Sequence, residues 1–347
     1  MNISVILCTY NRSESLSNAL ASIAQSEMPD SIQWEVLVVD NNSSDRTKEV
    51  VQEFSQQYPL RFRYLFERRQ GKSYALNTAI REATGDILAF TDDDVIVDPT
   101  WLANLTSSLH DGEWAGVGGR VLPDRSFPLP PWIPKEGRYP LAPLAMFDLG
   151  LREIELTEPP FGNNMAFRKE VFETYRGFRT DLGPCPGSEI RGEDTEFGQK
   201  VLADGKHLRY EPSAVVYHAV PESRVRKDYF LTWWFDKARS EIRESGHAND
   251  VNRHFAGVPL VLFRRLVVWG LRWFLSFNPS RRFSCKLNVW IVAGRICESR
   301  RLSTQNKLSW WQSFIYHRDT RLAPVPPTRG DVDEHKHSVS ISVRSEQ

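Results

Sequence analysis

The stretch LAFTDDDVIVD, residues 88–98, sets an apolar run directly against three adjacent aspartates, Asp92, Asp93 and Asp94. Residues 87–90 are continuously apolar, as in a strand covered on both faces. Carboxylates one residue apart repel, so either a positive partner waits at the strand's end or the three splay into a solvated turn. The elements on either side bear on that choice.

ISVILC (3–8) reads as a buried strand, followed by a helix over about 13–25. WEVLVVD (34–40) is the next strand. NNSSDRTKEVVQEFSQQY carries it into a second helix, with Ser43 or Ser44 as the cap and Asp45 in the first turn. LRFRYLF (60–66) is a third strand, 72–83 a third helix, DILAFTD a fourth strand and 99–109 a helix opened by Pro99. Alternating strands and helices, with nearly continuous apolar strands, predict an α/β fold with a mostly parallel central sheet and helices on both faces. Ligands of such sheets bind beyond the carboxyl ends of the strands. The polar clusters fall there: TYNR (9–12), DNNSSD (40–45) and TDDD (91–94) follow the first, second and fourth strands. A random scatter would not favour one edge, so this edge is taken as a site.

The 347 residues are 41% hydrophobic and 25% charged, enough to bury a sizeable core in one large domain or a domain with an appendage. The formal net charge is zero but unevenly spread: residues 251–310 hold eleven Lys and Arg against one acid, Glu298. Cys8, Cys185, Cys285 and Cys297 show no metal-ligand or redox spacing and fit a reducing compartment. No basic leader and no run of eighteen uncharged apolar residues is present, so the expected location is cytoplasmic, at most peripheral on the inner face of the cell membrane.

Further along, the Pro-rich segment 122–144 is a long irregular connection of the kind that forms a lid or binding loop. FGNNMAFRKEVF (161–172), a helix in GEDTEFGQKVLADG (192–205) and a strand in SAVVYHAV (213–220) follow. The expected plan is a catalytic domain over 1–225 (a nucleotide half to about 120, an acceptor half from 121), a basic, apolar helical extension over 226–322, and a disordered tail over 323–347.

Asp92 and Asp94 stand in D-x-D spacing, which can bring two carboxylates to one hard divalent cation such as Mg²⁺ or Mn²⁺, or one to a cation and one to a ribose. The plain alternative is a solvated turn before the helix at Pro99; a parallel strand in front favours the cation. QGKS (70–73) is no phosphate loop, since Phe66 stands where that motif needs glycine, yet Lys72 is still able to reach a phosphate. GVGG (116–119) is a closely packed strand rather than a dinucleotide fingerprint. GED (192–194) opens a helix, where acids are favoured by the macrodipole alone, but Asp194 at a pocket also suits a general base. His218 in a strand is an ordinary core histidine, or the completion of a metal shell beside the aspartates. Serine-hydrolase and cysteine-protease signatures are absent.

Five pieces, SVILCTYNRSESLSNALASI, WEVLVVDNNSSDRT, GKSYALNTAIREATGDILAFTDDDVIVDPTWL, GNNMAFRKEVF and RGEDTEFGQKVLADG, together resemble the family 2 glycosyltransferases, inverting enzymes of the GT-A fold. They occur in the family's order over roughly residues 2–220. The resemblance implies that Thr9, Asn11 and Arg12 line the nucleotide pocket, that Asp40 contacts the base with Asn41 or Asn42 nearby, and that Lys72 approaches the ribose or diphosphate. It implies that Asp92 and Asp94 are the two acids of the D-x-D motif, Asp94 on the metal, with Asp93 the variable middle residue on the donor side. Asp194 matches the catalytic base, with Glu193 beside it. Gly162, Asn163 and Asn164 match the acceptor side of the sugar site, and His218 a further metal ligand. The implied cofactor is Mn²⁺ or Mg²⁺. The implied partners are a nucleotide-sugar donor, UDP favoured because Asp40 suits uracil, and a glycan or lipid-linked acceptor; nucleic acid is not among them.

The family's processive synthases carry Q-x-x-R-W and a transmembrane bundle. Here WGLRW (269–273) lacks the glutamine and the spans, which favours transfer of a single sugar. A nucleotidyltransferase of related architecture would need a Gly-rich basic loop after the first strand, and CTYNRSES has no glycine. A non-catalytic nucleotide-sugar binding protein would not need DDD and GED both intact. Residues 258–277, VPLVLFRRLVVWGLRWFLSF, place Arg264, Arg265 and Arg272 on one side of a helix that is otherwise apolar. This is the pattern of an in-plane helix on an anionic membrane surface, with Trp269 and Trp273 expected at the headgroups.

Overall fold

The continuous apolar runs become the middle strands of one nine-stranded sheet. The computed structural model describes residues 1–110, 112–125, 129–133, 139–188, 190–245 and 254–319; the expected disordered tail lies outside them. The elements are β1 (Ile3–Thr9), α1 (Ser13–Ala24), β2 (Trp34–Asp40), α2 (Thr47–Gln57), β3 (Phe62–Phe66), α3 (Lys72–Glu82), β4 (Ile87–Asp92), β5 (Val95–Val97), α4 (Trp101–Ser107), β6 (Gly116–Pro123), β7 (Ile154–Leu156), β8 (Asn164–Arg168), α5 (Lys169–Tyr175), α6 (Glu193–Ala203), β9 (Leu208–His218), α7 (Lys227–Ser245), β10 (His254–Phe255), β11 (Val258–Pro259), α8 (Leu260–Leu275) and α9 (Pro279–Asp319).

The sheet order is β3-β2-β1-β4-β8-β6-β9-β5, with β7 also on β9. β1, β2, β3 and β4 pair parallel, as do β6 and β9. β8 runs antiparallel to β4 and β6, and β5 and β7 antiparallel to β9. Six of nine strands therefore point one way, the mostly parallel α/β sheet the sequence predicts. Ile3, Val5, Ile6, Leu7, Val36–Val39 and Ile87–Phe90 are buried, because helices cover both faces.

Register makes the edge. Thr9 pairs with Asp40 and Cys8 with Asp92, so β1, β2 and β4 end level and their polar sequels share one rim. Val95 of β5 pairs with His218 at the end of β9, which brings the histidine beside Asp94. The glycines of β6 admit close neighbours: a Cβ on Gly116 would sit 2.4 Å from the Phe167 ring.

Several boundaries differ from the sequence reading. Neither Ser43 nor Ser44 caps α2, whose N-cap position is Arg46; Asp45, just before it, accepts at Oδ1 from the Thr47 amide at 3.1 Å and hydroxyl at 2.6 Å. The two serines are bound to Asn11 instead. β9 starts five residues early and runs through Pro212. Its register against β6 slips between Gly119 and Arg120, which is where a proline is tolerated in a strand.

Met1–Ser303 form one compact unit; Thr304–Gln347 are a second, of which only the end of α9 is described. Within the first unit α7 braces the start of α6, through the Arg191 amide donating to Ser240 Oγ at 2.9 Å. Glu298, the one acid of the basic segment, is fully buried among Arg239, Arg243 and Arg301. The Pro-rich connection is pinned at Trp132, whose ring lies 5.0 Å from Phe230 and 4.7 Å from Phe283.

Candidate active site

Each aspartate of the opening motif meets a cation. Lys72, first residue of α3, donates from Nζ to Asp92 Oδ1 at 2.6 Å and lies 4.0 Å from Glu193 Oε1 at the head of α6. Burial alone would push this ammonium down; Asp92 and Glu193 outweigh burial and hold it above its ordinary value. Arg12, in the turn after β1, donates to Asp93 Oδ1 at 3.0 Å and Asp94 Oδ2 at 3.1 Å. Burial, with Asp94 and Asp92 beside it, pushes the Asp93 carboxyl up to about 6 even against Arg12. Asp93 is buried and its carbonyl accepts from Ser15 Oγ, so it anchors the turn.

Asp94 is the meeting point. Arg224, in the short turn after β9, donates to Asp94 Oδ2 at 3.2 Å and lies 2.8 Å from His218 Nε2, which is itself 3.5 Å from the same carboxylate oxygen. Burial would raise this carboxyl; His218, Arg224 and Arg12 hold it well below the ordinary range. Nothing in the sequence around ESRVRK marks Arg224. It emerges only because β5 and β9 pair.

The guanidinium of Arg224 thus stands as a cation between a hard carboxylate oxygen and an imidazole nitrogen, and that donor set fits a divalent ion equally well. Among the described residues no three His, Cys, Asp or Glu side chains converge to hold an ion unaided. An ion there would take one or two carboxylates, Asp94 with Asp92, and complete its shell with substrate phosphates.

Asp194 sits half-exposed in the first turn of α6. Its Oδ2 accepts from the Gly162 amide at 2.8 Å and its Oδ1 from the Thr195 amide at 2.7 Å. One oxygen therefore serves the first turn of α6, whose N-cap is Gly192, and the GNN segment fixes the other. Glu193 beside it is buried, and burial together with Asp194 pushes its carboxyl up to about 7.

Other expected donor and acceptor residues serve the scaffold that shapes the rim. Asn11, at φ 51°, accepts from the Ser44 amide at 2.7 Å while its own amide donates to Ser43 Oγ at 2.9 Å. Asp40 accepts from the Ser43 amide and the Tyr64 hydroxyl, both at 2.8 Å; burial and Asp40 raise the Tyr64 pKa. Asn41 is buried: it donates to the carbonyls of Glu67 and Arg69 and accepts from the Gly71 amide, strapping β2 to the loop before α3. Thr9 and Asn163 are buried beside the rim. Asn164 is fully buried in β8, where it accepts from Trp101 Nε1 at 2.8 Å and donates to the carbonyls of Arg120 and Ala214 at 2.9 Å. Its side-chain amide is thus bonded within the core at both its oxygen and its nitrogen.

Carboxylates and cations thus converge at the sheet rim, and the head of α6 presents a second acid pair, Glu193 and Asp194, with Glu193 4.0 Å from Lys72. The family model described as Glycosyl transferase family 2 matches residues 4–176. Glycosyltransferase AglE of Haloferax volcanii is 28% identical over 244 residues, 68% of this chain and 75% of that protein. The glucosyl-dolichyl phosphate glucuronosyltransferase of the same organism is 26% identical over 271 residues, 75% of this chain and 84% of that one. The mannosyltransferase PcManGT of Pyrobaculum calidifontis, solved with GDP-Man and Mn²⁺, has the same fold at a TM-score of 0.57 and 21% identity, covering 85% of this chain and 86% of that one. The chain belongs to glycosyltransferase family 2 and has the GT-A fold.

Proposed function

We propose that the chain transfers a single sugar from a nucleotide diphosphate sugar, with UDP as the favoured base, to a hydroxyl of a glycan or lipid-linked saccharide, with inversion by direct displacement. The observation that carries this reading is the hold on Asp194: two backbone amides fix both its oxygens, in a half-buried position next to Glu193, which lies 4.0 Å from the Lys72 that binds Asp92. Asp194 takes the proton of the acceptor hydroxyl as that oxygen attacks the anomeric carbon, and the nucleotide diphosphate leaves on the side of the rim. Asp94 and Asp92 would hold a divalent ion, which would supply positive charge toward the departing diphosphate. Lys72, kept charged by Asp92, faces the same group. Glu193 sets the position of Lys72 and stands behind the base. Arg12, Asn11, Asp40 and Asn41 shape the nucleotide end. The lipid-linked acceptor is supported by the Haloferax volcanii relative, a glucosyl-dolichyl phosphate glucuronosyltransferase.

The test is a panel of nucleotide sugars with Mn²⁺, read by thermal shift for binding and by release of nucleotide diphosphate for turnover. Asp194→Asn keeps donor binding and loses turnover by about 10²–10⁴-fold. Collapse of donor affinity with turnover retained would leave Asp194 as a helix cap only. Full activity of the wild type in excess chelator would remove the metal from the reading.

A further inference from the structure

We propose that the outer face of α8 docks on an anionic phospholipid bilayer. α8 packs inward through Leu262, with Phe263, Leu266 and Trp269, against Val258, Val292 and Ile296. At about 100° per residue the opposite half of the helix carries Leu260, Val261, Val267, Val268, Leu271, Phe274 and Leu275. All seven are exposed, from 37% at Val261 to 80% at Phe274, and Phe277 just beyond the helix is 95% exposed. Single exposed apolar residues are ordinary, but seven gathered on one half of a helix mark an interaction surface.

Charge says what covers it. Arg264, Arg265 and Arg272 share this arc, and Arg281 and Arg282 are exposed at the start of α9. None of the five forms an ion pair with a described residue. Over residues 254–303 the only acid is Glu298, which is fully buried among its own arginines. A second copy meeting this face would bring arginines against arginines with no acid to separate them, a juxtaposition that disfavours association. A bilayer meets both demands. Arginine stems run along the apolar surface and deliver their guanidinium groups to lipid phosphates, while the aliphatic and phenyl groups enter the acyl boundary. Trp269 and Trp273 play a different part from the one the sequence suggests. Trp269 packs inward with Arg272 over its ring at 4.8 Å, and Trp273 lies edge-on to Trp290 at 6.2 Å. The tryptophans hold α8 to α9; the phenylalanines and aliphatics face out. No helix among the described residues is long and apolar enough to cross a membrane, so contact is in the plane.

The experiment is flotation of the full chain with vesicles of phosphatidylcholine alone or mixed with phosphatidylglycerol, at low and high salt, beside light scattering and donor hydrolysis in solution. The wild type floats with the mixed vesicles, and salt weakens it. Arg264→Gln/Arg265→Gln/Arg272→Gln lowers the partition coefficient about a hundredfold, from the loss of roughly 1 kcal/mol per basic residue near the surface. Phe274→Ser/Phe277→Ser also reduces flotation. Both variants hydrolyse donor at the wild-type rate, which separates loss of docking from loss of the fold or of the catalytic reading. Wild type that ignores mixed vesicles overturns the proposal, as does flotation unchanged in both variants. A wild-type dimer that Phe274→Ser/Phe277→Ser dissociates, with no vesicle binding, assigns the face to a second copy instead.

Discussion

Replacing Gly162 by alanine tests the aim of Asp194 without touching its carboxylate. Gly162 has an ordinary φ, so alanine brings no backbone strain. Its Cβ would lie 2.9 Å from Asp194 Oδ2 and 3.2 Å from the aspartate's own Cβ. Comfortable non-bonded separations are about 3.5 Å, so the two groups must part by roughly half an ångström. The hydrogen bond from the Gly162 amide, now 2.8 Å, stretches or turns with them. A misplacement of about 1 Å near reacting groups costs on the order of 10²-fold in rate. Half that displacement, with a charged hydrogen bond weakened, predicts a fall in kcat of about 10–100-fold, or about 1.4–2.7 kcal/mol of barrier. Donor binding, which the proposed function assigns to the Asp92–Asp94 rim, is expected to stay unchanged. The assay is kcat under saturating donor and acceptor for wild type, Gly162→Ala, Asp194→Asn and the double variant. If Gly162 acts only by placing Asp194, the double variant is no slower than Asp194→Asn alone. A Gly162→Ala enzyme with wild-type kcat, or one whose defect adds fully to that of Asp194→Asn, refutes the reasoning.

Arg224→Ala removes the cation shared by Asp94 and His218; Mn²⁺ binding without nucleotide should tighten by about fivefold, the worth of an ion pair near 1 kcal/mol, measured by paramagnetic resonance of free Mn²⁺, and unchanged or weaker binding would count against competition at Asp94. Glu193→Gln tests pH dependence. The carboxyl is pushed up from 4.5 to about 7 in the fold, so its stabilising contribution is complete below about pH 4.5 and lost as pH rises through 7. The variant's thermal stability should therefore decline less steeply across that window, by up to about 1.4 kcal/mol per pH unit, and parallel curves would exclude Glu193 as the titrating group. Asn164→Leu leaves the Trp101 indole and the carbonyls of Arg120 and Ala214 without partners, at about 1–3 kcal/mol each. Chemical denaturation should show at least about 3 kcal/mol lost, and a stable but inactive variant would return Asn164 to the sugar site.

The sequence was most informative where chemistry is carried by the period of apolar residues. The runs at 3–8, 34–40 and 87–90 announce buried strands, and the polar residues that end them lie level because parallel strands in register finish together. The positions of Asp92, Asp94 and Asp194 were legible for that reason: each stands at a strand's end or in a helix's first turn, places that local pattern locates. The buried hydrogen bonds of Asn41 and Asn164 were not legible, because an asparagine's amide satisfies buried backbone as readily as it binds a ligand, and which it does depends on what packs around it. The same limit applies to the tryptophans of α8, whose orientation follows from α9, a neighbour the local pattern does not reveal.

By itself, then, the chain's pattern determined the α/β class, the rim at the strand ends and the carboxylates that occupy it. Tertiary structure alone decided the rest. Arg224 reaches Asp94 across 130 residues of chain because β9 turns back beside β5, and Gly162 aims Asp194 because the loop before β8 closes over the head of α6. These contacts join segments with no shared period, so their energy depends on packing in three dimensions and leaves no trace in the local order of residues.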